Sequence, residues 1–421
     1  MGFVLGPILG LVTNRNARIL FEVSSSGKYF LKYKKKSDDQ YTVYEYDIAA
    51  GSPSVIHIRG LDAGTVYYYE IVDQVKNHHL NGSFQTLHTP FYLVSPGKER
   101  DFEVDELHMQ SPEQENREKE KVHFISHNTY KHRKGAWNQL MQKPGYQIHI
   151  GNQVYQKHTK KELKRFLKDL SENDLEENRE EIENYIRRIY RKTWNEDAKN
   201  SLHSTPNLMV GQSDPFKLAK KGHQNAVNRC AYNVFKDYQR SLRVNPLNIK
   251  DCDYFVMQMG LVGYLFLDEA AKWTEQINFF RSYVNHLSVK NWVVISQTPV
   301  FKKGKGRAFT DRQIQDILNL PFESFPLFIA GGTVGKITSV RFRNKIEGYQ
   351  VETGGVQQHM PLLEYIPHRL CGLLTSCCKI KGYKCTTNWR HRGCNFVSLS
   401  DQGEDLKIHF TYDGDSFFQT V

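Results

Sequence analysis

The chain has 421 residues, enough for two domains, and its 39% hydrophobic and 12% aromatic content suits packed cores, which excludes a disordered protein. A net charge of +11, from 57 basic against 46 acidic residues, is spread over many short clusters, and no nucleic-acid-binding motif accompanies them. A nucleic-acid partner is therefore not expected, and no apolar run of about 18 residues is present to span a bilayer.

The apolar opening from Gly2 to Thr13 lacks a basic leader and a small-residue cleavage site, and Gly6 stands where a myristoylation signal needs Ser or Thr. It reads as a first strand. Short strand patterns follow at Ala17 to Val23, Lys28 to Tyr33, Tyr41 to Ile48, Ser54 to Ile58, Thr65 to Val72 and Gly82 to Thr86. Ser-Ser-Ser-Gly and Gly-Ser-Pro breaks punctuate them, which predicts a small all-β sandwich over residues 1–93.

From Val94 to Lys121 charge replaces apolar residues, as in Ser111-Pro-Glu-Gln-Glu-Asn-Arg-Glu-Lys-Glu-Lys121, and a linker or exposed helix is expected over 94–121. Buried-type strand patterns then alternate with helical stretches, which predicts an α/β domain over 122–421. The strands are expected at Val122 to Ser126, Tyr146 to Ile150, Asn207 to Val210, Tyr254 to Asp268, Trp292 to Ser296 and Leu327 to Ala330. Between Lys160 and Trp194, Leu163, Phe166, Leu167, Leu170, Ile182, Tyr185, Ile186 and Tyr190 recur at helical spacing. One or two amphipathic helices without chemistry are expected there. A basic loop or hairpin from Leu370 to Gly393 precedes closing strands at Cys394 to Ser398 and Leu406 to Thr411.

The seven cysteines run from Cys230 to Cys394, an odd number without a secretion signal, which favours free thiols in a reducing compartment. An intracellular, cytoplasmic protein is expected. Cys371, Cys377, Cys378, Cys385 and Cys394 with His391 are dense enough to raise zinc, but they contain no Cys-x-x-Cys and an adjacent Cys pair suits a tetrahedral site poorly. No nucleophile elbow, phosphate loop or dinucleotide fingerprint occurs.

Five segments carry a more specific signal. They are Phe124-Ile-Ser-His-Asn-Thr-Tyr130, Tyr146-Gln-Ile-His-Ile-Gly-Asn-Gln-Val-Tyr155, Thr205-Pro-Asn-Leu-Met-Val-Gly-Gln-Ser-Asp-Pro-Phe216, Asn291-Trp-Val-Val-Ile-Ser-Gln-Thr-Pro299 and Pro326-Leu-Phe-Ile-Ala-Gly-Gly-Thr-Val-Gly-Lys336. In order and spacing they resemble the strand ends of the PhoD-like alkaline phosphatases, a metallophosphoesterase family. Met259 to Glu269 and Val351 to Pro361 extend the likeness along the fold, and Gly6-Pro7 with Val12 to Arg18 resembles the family's N-terminal module. Ile58 to Tyr69 followed by Gly82 to Thr86 resembles the final strands of a fibronectin type III-like domain, in which a buried Leu and Tyr pin a corner. The resemblance implies a metallophosphatase-like two-sheet β-sandwich flanked by helices behind the small all-β domain.

It also implies a site with two metal ions held by anionic ligands, and here those positions differ. His127 stands where the family has a cysteine ligand, and Asn152 stands where it has a bridging aspartate, with Tyr155 kept. Gly211 and Gln212, or in a register shifted by one Gln212 and Ser213, replace an aspartate pair, and only Asp214 keeps a carboxylate nearby. Gly332 or Thr333, and Val334 or Gly335, fall where the family's Gly-Asp-x-His supplies two more ligands. His149, Asp268 and His359 are read as structural side chains. The expectation is a pseudophosphatase without cofactor, acting as a structural or interaction module in an intracellular assembly with protein partners. The alternative is a metal-dependent phosphomonoesterase or phosphodiesterase whose reduced or relocated site uses Fe, Ca, Zn or Mn. Lys302, Lys303, Lys305 and Arg307 are the candidate anion-binding residues, suited to an acidic partner.

Overall fold

A computed structural model describes the chain apart from residues 97–120, 127–136, 155–164, 168–176, 211–220, 244–252, 303–307, 354–377 and several shorter gaps. It is a mixed α/β protein with several β-sheets and more strand than helix. Two compact units form, each from separated stretches: residues 1–89 with 127–246, and residues 90–126 with 247–421.

The first unit opens with strands β1 (Phe3–Val12), β2 (Ala17–Val23), β3 (Gly27–Lys35), β4 (Thr42–Ile48), β5 (Ser54–Ile58), β6 (Val66–Asp73) and β7 (His79–Gln85). They make a three-stranded sheet in the order β1-β2-β5 and a four-stranded sheet in the order β4-β3-β6-β7. Pairing is antiparallel in both. Leu9, Ile19, Phe21 and Ile56 of one sheet share a core with Tyr29, Leu31, Tyr69 and Ile71 of the other. The buried phenol of Tyr67 accepts the Asp62 N–H at 2.9 Å beside buried Leu61, which fixes the turn into β6.

β8 (Phe91–Val94) and β9 (Lys121–Ser126) belong to the second unit, and β10 (Tyr146–Ile150) and β11 (Asn207–Met209) to the first, where they pair in parallel. Helix Arg179–Trp194 buries Ile182, Ile186, Ile189, Tyr190 and Trp194, the spacing of one apolar stripe. Tyr190 stacks on Tyr238 of helix Lys221–Tyr238 with ring centroids 4.5 Å apart. Glu22, fully buried on β2, accepts both Arg191 Nε at 2.9 Å and Arg191 Nη2, and also the Tyr238 hydroxyl at 2.8 Å. The charge-assisted fork ties β2 to both helices.

The second unit continues with β12 (Phe255–Met259), β13 (Val262–Phe266), β14 (Asn291–Ser296), β15 (Leu327–Gly331), β16 (Gly335–Phe342) and β17 (Lys345–Thr353). β18 (Cys378–Ile380), β19 (Tyr383–His391), β20 (Asn395–Asp401), β21 (Leu406–Tyr412) and β22 (Asp415–Thr420) complete it. One sheet has the order β18-β19-β16-β17-β15-β14-β13-β12-β8, with β13, β14, β15 and β17 parallel at its centre. Helices Trp273–Val284 and Asp311–Leu318 cover one face through Ile277, Phe280, Ile314 and Ile317. β9, β20, β21 and β22 pair antiparallel in a second layer of strands.

Most expected strands stand where the pattern puts them. The run Tyr254 to Asp268 differs, because it forms the two strands of a hairpin, β12 and β13, paired from Met259↔Val262 outward. Gly260, at φ +59°, reverses the chain in two residues, a conformation that costs a glycine nothing. The segment expected as a loop or hairpin before the closing strands contains the β18–β19 pair, which joins the large sheet through β16. The expected linker falls mostly outside the described residues.

Candidate functional site

The strand ends that follow the resemblance lie in both units, and each is described within its own. In the second unit β9 ends at Ser126, which is buried. Its hydroxyl stands 2.8 Å from the Gly332 carbonyl and 3.1 Å from that of Thr353, so one proton serves two acceptors. The Gly332 N–H donates back to the same oxygen at 3.4 Å, and the Thr353 hydroxyl donates to the Ala330 carbonyl at 3.3 Å. The tips of β9, β15 and β17 are thus held by two hydroxyls and a glycine. Every group in that arrangement is neutral.

Nearby in sequence, two carboxylates follow β13. Asp268 accepts the Asp253 N–H at Oδ2 and the Ala270 N–H at Oδ1, both at 2.9 Å, so one oxygen holds the chain before β12 and the other the turn after β13. Glu269 accepts the Thr298 N–H at 2.7 Å and the Thr298 hydroxyl at 2.8 Å. Burial raises the Glu269 carboxyl above its ordinary range, and the two bonds from Thr298 offset that only in part. This clamp fixes the chain just after β14. Lys302, exposed, begins the basic sequence segment beyond it.

In the first unit all five residues of β10 are buried. Gln147 exchanges hydrogen bonds with the Ser201 hydroxyl at 2.7 and 3.1 Å. The Asn207 amide nitrogen faces the carbonyls of Leu9 and Thr205 at 3.0 and 2.6 Å, which leaves its oxygen to accept from His149 Nε2 at 2.8 Å. His149 also lies against Trp137, ring centroids 6.1 Å apart, and serves the packing of β10. Gly151, buried at φ +77°, ends the strand in a conformation other residues rarely adopt. Asn152 follows directly.

Of the residues expected to mark a site, Gly332 and Lys302 fall among those described. His127, Asn152, Tyr155, Gly211, Gln212, Asp214, Val334, Lys303, Lys305 and Arg307 lie outside the described residues, as do His359, Cys371, Cys377 and Cys394. Cys378 and Cys385 are register partners across β18 and β19. Among the described residues no group of three or more His, Cys, Asp or Glu stands together to hold a metal ion. Ser126 and Thr353 escaped the sequence reading, since a lone Ser or Thr at a strand end gives no signal until its partners, 206 and 227 residues away from Ser126, are known.

No protein-family model matches the sequence, and no curated protein matches it. Among solved structures, a fibronectin type III domain of human collagen XX aligns with 20% of this chain over 90% of its own length, at 14% identity and TM-score 0.18. The sensor domain of the anti-sigma factor RsgI4 of Pseudobacteroides cellulosolvens aligns with 20% over 97% of its own length, at 16% identity and TM-score 0.17. The structure of PhoD aligns over 100% of this chain and 88% of its own, at 11% identity and TM-score 0.65. The protein therefore has a PhoD-like fold.

Proposed function

We propose that this chain is a PhoD-like pseudophosphatase, a scaffold of that fold that works as a structural or interaction module within an intracellular assembly. One observation carries the reading: the chemistry of the donors at the strand-end positions. After β9, β10, β11 and β15 the chain offers His127, Asn152, Gly211, Gln212, Asp214, Gly332 and Val334. That is one imidazole, one carboxylate and neutral groups. Two divalent ions close together need bridging anions to offset their mutual repulsion and to acidify a bound water. The donor set does not fit a metal pair, and no hydrolytic step is derived through one. The uncharged ties among Ser126, Gly332 and Thr353 support the same reading, because they stabilise the strand tips without a metal.

Within this reading the chain divides into a fibronectin type III-like sandwich over 1–93, a charged connection over 94–121 and a PhoD-like domain of two packed sheets over 122–421. The Leu61 and Tyr67 corner supports the first assignment. Lys302, Lys303, Lys305 and Arg307 offer a contact for an acidic protein partner. The competing reading, a metal-dependent phosphoesterase with a reduced or relocated site, is favoured by the likeness to PhoD itself. Phosphomonoester and phosphodiester hydrolysis, assayed with added Fe, Ca, Zn or Mn, separates the two: no turnover above buffer is expected, and metal-dependent turnover lost in Asp214→Asn would establish the enzyme.

A further inference from the structure

The four-stranded sheet of the first unit has two edges of different character. β7 carries Asn81, Gly82 and Ser83 in its middle, a weak template for pairing. β4 does the opposite. Its sequence Thr-Val-Tyr-Glu-Tyr-Asp-Ile contains no Pro, Gly or Lys, and its register with β3 is unbroken from Thr42 to Ile48. Bulges, prolines and lysines are the usual protections of an edge, and β4 has none of them.

Three of the five exposed large apolar side chains among the described residues lie there. Tyr41, Val43 and Tyr44 are 46, 52 and 48% exposed, and Tyr68 of β6 is 38% exposed on the same sheet. The cations of neighbouring β3 are already engaged: Lys28 with Glu45, Lys32 with Glu70, Lys35 with Asp62, and Lys34 over the Tyr41 ring. At the two ends of β4 the exposed carboxylates of Asp38, Asp39 and Asp47 have no ion-pair partner among the described residues. A second copy of the chain paired antiparallel on β4 would set these acids against their own kind, which disfavours self-pairing.

We propose that β4 is a docking edge for an extended, basic segment of a partner protein, added as a fifth strand of this sheet. Backbone hydrogen bonds would supply affinity, alternating apolar side chains would meet Tyr44 and Tyr46 on one face of the strand, and Lys or Arg side chains would meet Asp47 on the other face and Asp38 and Asp39 beyond its end. The inference rests on the interaction-module reading and names one of its surfaces, distinct from the basic loop at Lys302.

The test uses the full chain and fluorescent peptides. A short peptide of alternating Lys and Val should bind, an alternating Glu and Val peptide should not, and a Lys and Gly repeat of equal charge should bind at least tenfold more weakly. The double variant Val43→Lys, Asp47→Lys changes two exposed side chains, so its melting temperature should match the parent while affinity for the Lys and Val peptide falls at least tenfold. Equal binding of that peptide by parent and variant, or equal binding of the Lys and Gly repeat, would overturn the proposal. So would a concentration-dependent dimer in sedimentation that the double variant abolishes, since the occupant would then be a second copy. Phosphoesterase turnover in the same preparations would sink the pseudophosphatase reading while leaving the peptide result standing, so the two failures are distinguishable.

Discussion

The interior of the first unit and the strand tips of the second treat polarity in opposite ways. β2 buries a complete carboxylate, Glu22, and supplies a guanidinium fork and a phenol to satisfy it. The tips of β9, β15 and β17 gather two hydroxyls and a glycine. The buried charge of Glu22 joins a sheet to two helices, whereas the ties among these three tips are made by neutral groups. A buried ion pair is costly to break from one side, because the surviving charge has no water to turn to. A neutral hydroxyl tie is cheaper to lose and holds no metal.

Substitutions can break or sharpen this contrast, and the largest effect is expected at Glu22. Glu22→Ala leaves Arg191 without its fork and should cost about 3–5 kcal/mol in urea denaturation. A loss below about 1 kcal/mol would show that water or another acceptor replaces the carboxylate. Leu265→Ala, in fully buried β13, should cost about 2–5 kcal/mol, depending on how far the cavity collapses. Ser126→Ala should cost about 1–3 kcal/mol, the price of an unsatisfied buried group. Should it prove neutral, the hydroxyl ties are incidental to the strand tips.

The sequence made the strands legible and left these ties hidden. Tyr146 to Ile150 reads as a strand because Tyr146, Ile148 and Ile150 alternate with Gln147 and His149, whose burial only the structure reveals, and the i, i+4, i+8 spacing of Ile182, Ile186 and Tyr190 gives the helical stripe directly. The hairpin at Gly260 hides inside one largely apolar run, where Gly260 and Gly263 both occur and nothing in the sequence says which of them turns the chain. Glu22 meets Arg191 and Tyr238 from 169 and 216 residues away, so its alternation on β2 suggests an exposed acid rather than a buried one. Compact units built from separated stretches are likewise invisible to a residue-by-residue reading. The strands β9, β10, β11 and β15 that precede the candidate positions were legible in the sequence, while the hydroxyls that tie the ends of β9, β15 and β17 depend on long-range packing.

Acid should weaken the first unit selectively. Burial, followed by the charges of Arg18 and Arg59, lowers His57 to about 4, and burial with Lys199 lowers His203 to about 4. Both stay neutral in the fold while the unfolded chain takes up protons near pH 6.5, so stability should fall as pH drops from about 6.5 towards 4. The double variant His57→Gln, His203→Gln should flatten that slope in thermal melts, and an unchanged slope would place the acid sensitivity elsewhere. Weaker still in stability terms, reversing Lys302, Lys303 and Lys305 to Glu should leave the melting temperature unchanged. Capture of an acidic partner should nevertheless drop, as it should when salt rises past roughly 0.15 M, where the Debye length is about 8 Å. Capture that ignores both salt and charge reversal would remove this loop from the account. Tyr155→Phe and Asp214→Asn should each stay within about 0.5 kcal/mol of the parent.

Elemental analysis of the full chain, purified without chelator, tests the pseudophosphatase reading most directly. Well under one equivalent of Fe, Zn, Mn or Ca per chain is expected, since on the proposed reading neutral Asn152 and Gly332 take the places of metal-binding anions. Two tightly bound metal ions per chain would contradict it.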